Sequence, residues 1–185
     1  MSFHPVIAAI WDPRAIAPSL EQSVCSHVFL LRSDIVGLQG QLKQIRRAGK
    51  KVFVDVDFVD GLGSDEYALR YVHLSGADGI ITVRSRMVEF AKKVAFPVVL
   101  RSFALDSSAL ERMAETIRGC SPDFLEILPG LALGKARQFL LERELLLPPL
   151  IAAGLVDTRE EMDTLLSQGA IAVSTSCQDL WKPWP

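Results

Sequence analysis

At 185 residues, 49% of them hydrophobic and 23% charged, the chain has the length for one domain built on one large core. A formal net charge of −2 excludes a global attraction to nucleic acid or to an anionic membrane, so any RNA contact has to come from a local basic patch. Cys25, Cys120 and Cys177 are odd in number and far apart, which fits reduced thiols in a cytosol better than a disulfide framework or a zinc site.

The first apolar run is broken by Pro5, Asp12 and Pro13 and lacks a basic leader. No later stretch reaches the ~20 apolar residues of a membrane span. A soluble, cytoplasmic protein with no membrane contact is expected. Eight short runs dense in Val, Ile, Leu and Phe then follow one another: Val6–Ile10, His27–Leu31, Lys51–Asp57, Gly79–Val83, Val98–Arg101, Phe124–Leu128, Leu150–Ala153 and Ala170–Ser174. Their lack of polar alternation predicts strands covered on both faces. Amphipathic segments lie between them, with helix starts at Asp65, Asp106 and Asp157-Thr158, and with Gly49, Gly76, Gly119 and Gly169 where helices should end.

Eight strand–helix repeats without a linker predict an α/β fold, a compact (β/α)₈ barrel of TIM type, as a single domain over residues 1–185. Such barrels usually exceed ~200 residues, so an open doubly wound sheet is the competing architecture.

In a barrel, chemistry gathers where strands end at their C-terminal side. That rim carries Asp12, Asp34, Asp55, Asp57, Arg84, Arg101, Glu126, Gly154 and Thr175-Ser176. The seventh and eighth strands end in Ala153-Gly154 and Ser174-Thr175-Ser176, followed by a segment, Cys177 to Trp181, suited to a short helix. A glycine that lets backbone approach, hydroxyl donors and a helix start make a phosphate cradle, although a tight turn and a helix cap would use the same residues. Asp55 and Asp57, spaced i, i+2 on one strand, should share a face and could bind hydroxyls or a metal or act as acid and base, unless one only caps a helix. Glu126 lies in an apolar run that tolerates an acid only with a partner, and Arg101 on the neighbouring strand is the natural one. The three histidines, His4, His27 and His73, have no spacing for a metal or a triad, and no phosphate-loop or dinucleotide motif is present. Arg46-Arg47, Lys50-Lys51, Arg84-Arg86 and Lys92-Lys93 make a nucleic-acid patch only if they come together in space; separately they read as solvated helix faces. Trp181 and Trp184 could stack on bases, but covering a barrel end or a subunit contact suits them better.

Several blocks together resemble a known family. They are Ala48 to Val54 with Asp57 and Asp60-Gly61-Leu62; Asp65-Glu66-Tyr67; Gly76 to Ile81; Arg101 through Ser107; Glu126 to Gly130; and Ala172 to Ser176 through Leu180-Trp181. In this order they are similar to the glycerol-3-phosphate-responsive antiterminators, regulators of bacterial glycerol uptake operons. The resemblance implies a barrel, glycerol 3-phosphate as effector with no other cofactor and no metal, and leader mRNA as partner. It places the phosphate on Gly154, Thr175 and Ser176 and the polyol on Asp57, Arg101 and Glu126, and the rim itself adds Ser174 to the first set and Asp55 to the second. Asp55, Leu100 and Ala153 depart from the family pattern, at the pocket itself. The basic residues Arg46, Arg47, Lys50 and Lys51 are the candidate RNA contacts. A non-enzymatic regulator is expected. The alternatives are a phosphosugar or polyol-phosphate enzyme, with Asp55 and Glu126 as acid and base, and a sensor acting through a protein partner. A homo-oligomer is left open.

Overall fold

The computed structural model describes residues 3–12 and 20–183. Eight parallel strands close into a barrel: β1 Val6–Ile10, β2 His27–Leu30, β4 Lys51–Asp55, β6 Gly79–Thr82, β7 Val98–Phe103, β8 Phe124–Leu128, β9 Leu150–Ala153 and β10 Ala170–Thr175. Each pairs with its neighbours in chain order, and β1 closes the ring against β10 with Val6 opposite Val173. Two further strands, β3 Ser33–Asp34 and β5 Val59–Asp60, pair above the rim. Outside lie α1 Leu38–Arg47, α2 Glu66–Leu74, α3 Ser85–Lys93, α4 Ser107–Gly119, α5 Leu133–Leu141 and α6 Arg159–Ser167. The predicted barrel is the observed one.

Strand residues alternate between two cores because successive side chains point to opposite faces. Val52, Val54, Leu125 and Ile127 pack outward against the helices, while Phe29, Phe53, Ile81, Val99 and Phe124 fill the interior. The N-terminal end is floored by aromatics: Phe3 meets His27 at 4.3 Å and Phe124 at 4.9 Å between ring centroids. Gly79 makes the layer above possible, since a Cβ there would come within 2.3 Å of the Phe53 ring and 2.7 Å of the Pro97 carbonyl.

The predicted strand bounds hold to within a few residues, with one consequential exception. The third barrel strand stops at Asp55, and Val56–Phe58 form a 3-10 turn. Two of the expected helix signals also shift. Asp65 and Asp106 are N-caps as expected, but α6 is capped by Thr158 in a capping box with Glu161, and Asp157 stands outside it. Gly119 is still helical, and Cys120 ends that helix. Pro13 and Trp184 lie outside the described residues.

Candidate functional site

The top interior layer of the barrel is where the apolar filling stops. Following the inward positions upward, Phe53 gives way to Asp55, Val99 to Arg101, Phe124 to Glu126 and Ala172 to Ser174, all buried. Arg101 and Glu126 are direct cross-strand partners on β7 and β8. Arg101 Nε donates to Glu126 Oε2 at 2.5 Å, and its Nη1 donates to Asp55. Burial disfavours the guanidinium charge, but Glu126 and Asp55 outweigh it and raise the Arg101 pKa above its ordinary value. Burial pushes the Asp55 carboxyl up to about 7 although Arg101 opposes it. One atom is left over. Glu126 Oε1 is buried and accepts no hydrogen bond among the described residues.

Opposite this cluster the inward side chains are small: Ala9, Ala153 and Ser174. They leave a cavity of about 130 Å³, lined by Arg101 and Glu126 at its foot and by Gly154, Leu155, Asp157, Ser174, Thr175 and Ser176 towards the mouth, with Trp11 beside it. Its location and its convergent polar groups mark it as the candidate site, more than the larger groove of about 480 Å³ outside the barrel along α2 and α3, which no buried polar group faces.

The candidate residues play different parts. Gly154 takes a left-handed backbone, φ +76°, and its carbonyl accepts from Gly130 N, so the turn after β9 is set by glycine itself. Thr175 lines the cavity, but its hydroxyl donates to Val156 O at 2.7 Å and accepts from Cys177 N at 3.0 Å. It braces the two loops together, aided by the Trp181 indole, which donates to Thr175 O, and the exposed Ser176 is left facing solvent. The short helix expected after β10 is the 3-10 segment Gln178–Trp181, with Trp181 buried under the barrel wall.

Asp57 needs correction. It does not share a strand face with Asp55, because the chain leaves the strand at Asp55 and the Asp55 carboxylate accepts from Asp57 N at 3.2 Å. Asp57 instead accepts from Val83 N at 2.7 Å and from Thr82 Oγ1, and pairs with Arg84 Nε at 3.3 Å, fastening β4 to the end of β6 away from the cavity. Asp55 stands behind Arg101 and reaches the cavity only through it. The residues that sequence reasoning missed are the space-makers Ala9 and Ala153 and the wall residues Trp11, Leu31 and Leu128. Their signal is small size at inward positions, which has meaning only once the register is known.

Arg46, Arg47, Lys50 and Lys51 lie at the end of α1 and the start of β4, at the N-terminal end of the barrel and so opposite the cavity. Arg46 is engaged by Gly76 O and Asp78, and Lys50 donates to Ser23 O, while Arg47 and Lys51 are exposed. The exposed Lys92, Lys93 and Arg118, at the ends of α3 and α4, crowd the same end.

Residues 6–181 match the family model described as the glycerol-3-phosphate responsive antiterminator. The chain belongs to that family. This antiterminator-family chain is 44% identical to a crystal structure described as a glycerol uptake operon antiterminator-related protein of Thermotoga maritima MSB8, with TM-score 0.85 over 97% of this chain and 98% of that one. It is 30% identical, with TM-score 0.88, to the glycerol uptake operon antiterminator regulatory protein of Listeria monocytogenes, over 96% and 95% of the two chains. The uncharacterized protein YgcP of Escherichia coli strain K12 is 31% identical over 179 residues, 96% of this chain and 92% of YgcP. Among the described residues of the antiterminator-family chain, no helix is long and apolar enough to cross a membrane.

Proposed function

We propose that this chain is a transcription antiterminator that binds glycerol 3-phosphate in the barrel mouth and acts on the leader mRNA of glycerol-utilisation genes, without turning its ligand over. Glu126 Oε1 carries the ligand reading. A buried carboxylate oxygen lacking a donor costs free energy until something donates to it, and a polyol hydroxyl entering the cavity that Glu126 lines would supply that donor once the side chain turns towards it. A cavity of about 130 Å³ suits a three-carbon compound, since sites for drug-sized ligands run to ~300–1,000 Å³. Gly154, Ser174 and Ser176 line the far wall, where backbone N–H groups and hydroxyls would hold the phosphate. Thr175 contributes by fixing those loops. Glu126 at the foot of the cavity and Asp55 behind it both pair with Arg101, which favours a binding site over acid–base chemistry.

The test is thermal unfolding with glycerol 3-phosphate and, separately, glycerol. The phosphate ester stabilises by about 2.7 kcal/mol at a hundredfold excess over Kd. Equal stabilisation by glycerol would remove the phosphate subsite from the proposal. The RNA half is tested by filter retention of leader RNA with and without ligand. Absence of retention even at low salt would overturn it.

A further inference from the structure

Large apolar side chains stand exposed on loop after loop at the C-terminal end of the barrel. Trp11 follows β1, Val36 follows β3, Phe58 follows β4, Leu105 follows β7, Leu131 follows β8 and Leu155 follows β9. Their exposures run from 48% for Phe58 to 91% for Val36. A single exposed leucine needs no explanation, but six apolar residues distributed around one opening form a collar. The collar is continuous with the candidate site, since Trp11 and Leu155 line both and Trp11 touches Phe58 with ring centroids 6.0 Å apart.

We infer that this collar is an isologous interface, and that a second copy of this chain roofs the barrel mouth. Two observations choose a second copy over other occupants. The first is area. Taking roughly 200 Å² for a complete large side chain, the six residues expose on the order of 800 Å², the share each partner gives to a standard stable interface. A ring of apolar residues around an axis also matches itself under a two-fold rotation perpendicular to that axis, as a symmetric dimer needs. The second is charge. Arg84 on this face pairs with Asp57 at 3.3 Å and Arg32 lies 3.9 Å from Asp60, and Asp34, Asp106 and Asp157 stand exposed nearby. Among the described residues these two arginines therefore add little positive field at the rim to hold a polyanion, whereas the exposed cations Arg47, Lys51, Lys93 and Arg118 sit at the other end. Association is a property of the rim and does not rest on which ligand fills the cavity. Because the dimer covers the mouth, occupancy and association affect each other reciprocally.

Sedimentation velocity of the full chain, without ligand, tests this. The expected species is a dimer at micromolar concentration, and V36E/L105E, which places four carboxylates in the interface and alters no residue of the cavity, converts it to a monomer that still unfolds in one cooperative transition, its midpoint lower only by the lost association. Leu74→Glu, equally exposed but on the outer groove, leaves the dimer intact. A monomeric wild type at these concentrations, or a dimer that survives V36E/L105E, would overturn the inference. So would a monomeric wild type whose retention of leader RNA is lost in V36E/L105E, which would assign the collar to nucleic acid.

Discussion

Arg101 joins two carboxylates in a buried layer at the foot of the cavity, and its removal leaves both uncompensated. Arg101→Ala should therefore cost about 3–5 kcal/mol in urea unfolding, although the pair itself adds little compared with an apolar filling. Asp55 sets a pH dependence. Its carboxyl is raised in the fold to about 7, chiefly by burial, from an ordinary value of 3.8, so between those limits the folded chain binds the proton and the unfolded chain does not. The contribution of Asp55 to stability is thus present in mild acid and lost as pH rises through 7. Relative to Asp55→Asn, the wild type should lose stability between about pH 4 and 7 and change little above that, and a constant difference would show that Asp55 is ionised throughout. At the mouth, Ser176→Ala should weaken ligand binding by ~1 kcal/mol without moving the ligand-free transition, because the residue is exposed. The importance of Arg101 and Glu126 was legible in the sequence, since charge inside an apolar run demands a partner. The role of Asp57 was not. The Val-Phe-Val-Asp-Val-Asp alternation reads on as strand, and only the Asp55 side chain capping the Asp57 N–H turns the chain away.

The loop after β9 and the start of α6 show how adjacent residues divide stability from binding. Thr158 and Glu161 cap each other's backbone N–H groups, and Glu161 also takes the N–H of Asp157. Thr158→Ala should lower stability by about 0.5–2 kcal/mol in thermal or urea unfolding. Asp157 is exposed, is not the cap, and lines the cavity, so its charge faces the mouth where the proposal seats a phosphate. At an assumed ~6 Å with near-bulk screening, repulsion of a dianion by one carboxylate is on the order of 1 kcal/mol. Asp157→Asn should accordingly tighten glycerol 3-phosphate several-fold in low-salt calorimetry and leave the transition temperature nearly unchanged. Unaltered affinity at low salt would place the carboxylate too far away to be felt. All eight barrel strands could be read from apolar runs bounded by caps and turns. The β3–β5 pair could not, because two residues carry no period.

Among the described residues the candidate ligand cavity lies at one end of the barrel and the exposed cations Arg47, Lys51, Lys93 and Arg118 at the other. Closure of the barrel was legible from the count of strand–helix units, but this polarity was not, because it depends on which helix ends gather in space. If leader RNA binds at the basic end, Arg47→Glu with Lys51→Glu should weaken retention across RNA sequences and flatten the salt dependence by about two phosphate contacts, while glycerol 3-phosphate still binds. A double variant that retains RNA normally would move the contact surface elsewhere. The aromatic floor has a consequence for exchange rates. With Phe3, Phe53 and Phe124 sealing one end, a molecule held at Glu126 has a single exit, and under a roof of six apolar side chains its departure waits for that roof to lift. Ligand lifetime would then be set by how often two copies part, so that dilution alone would shorten it.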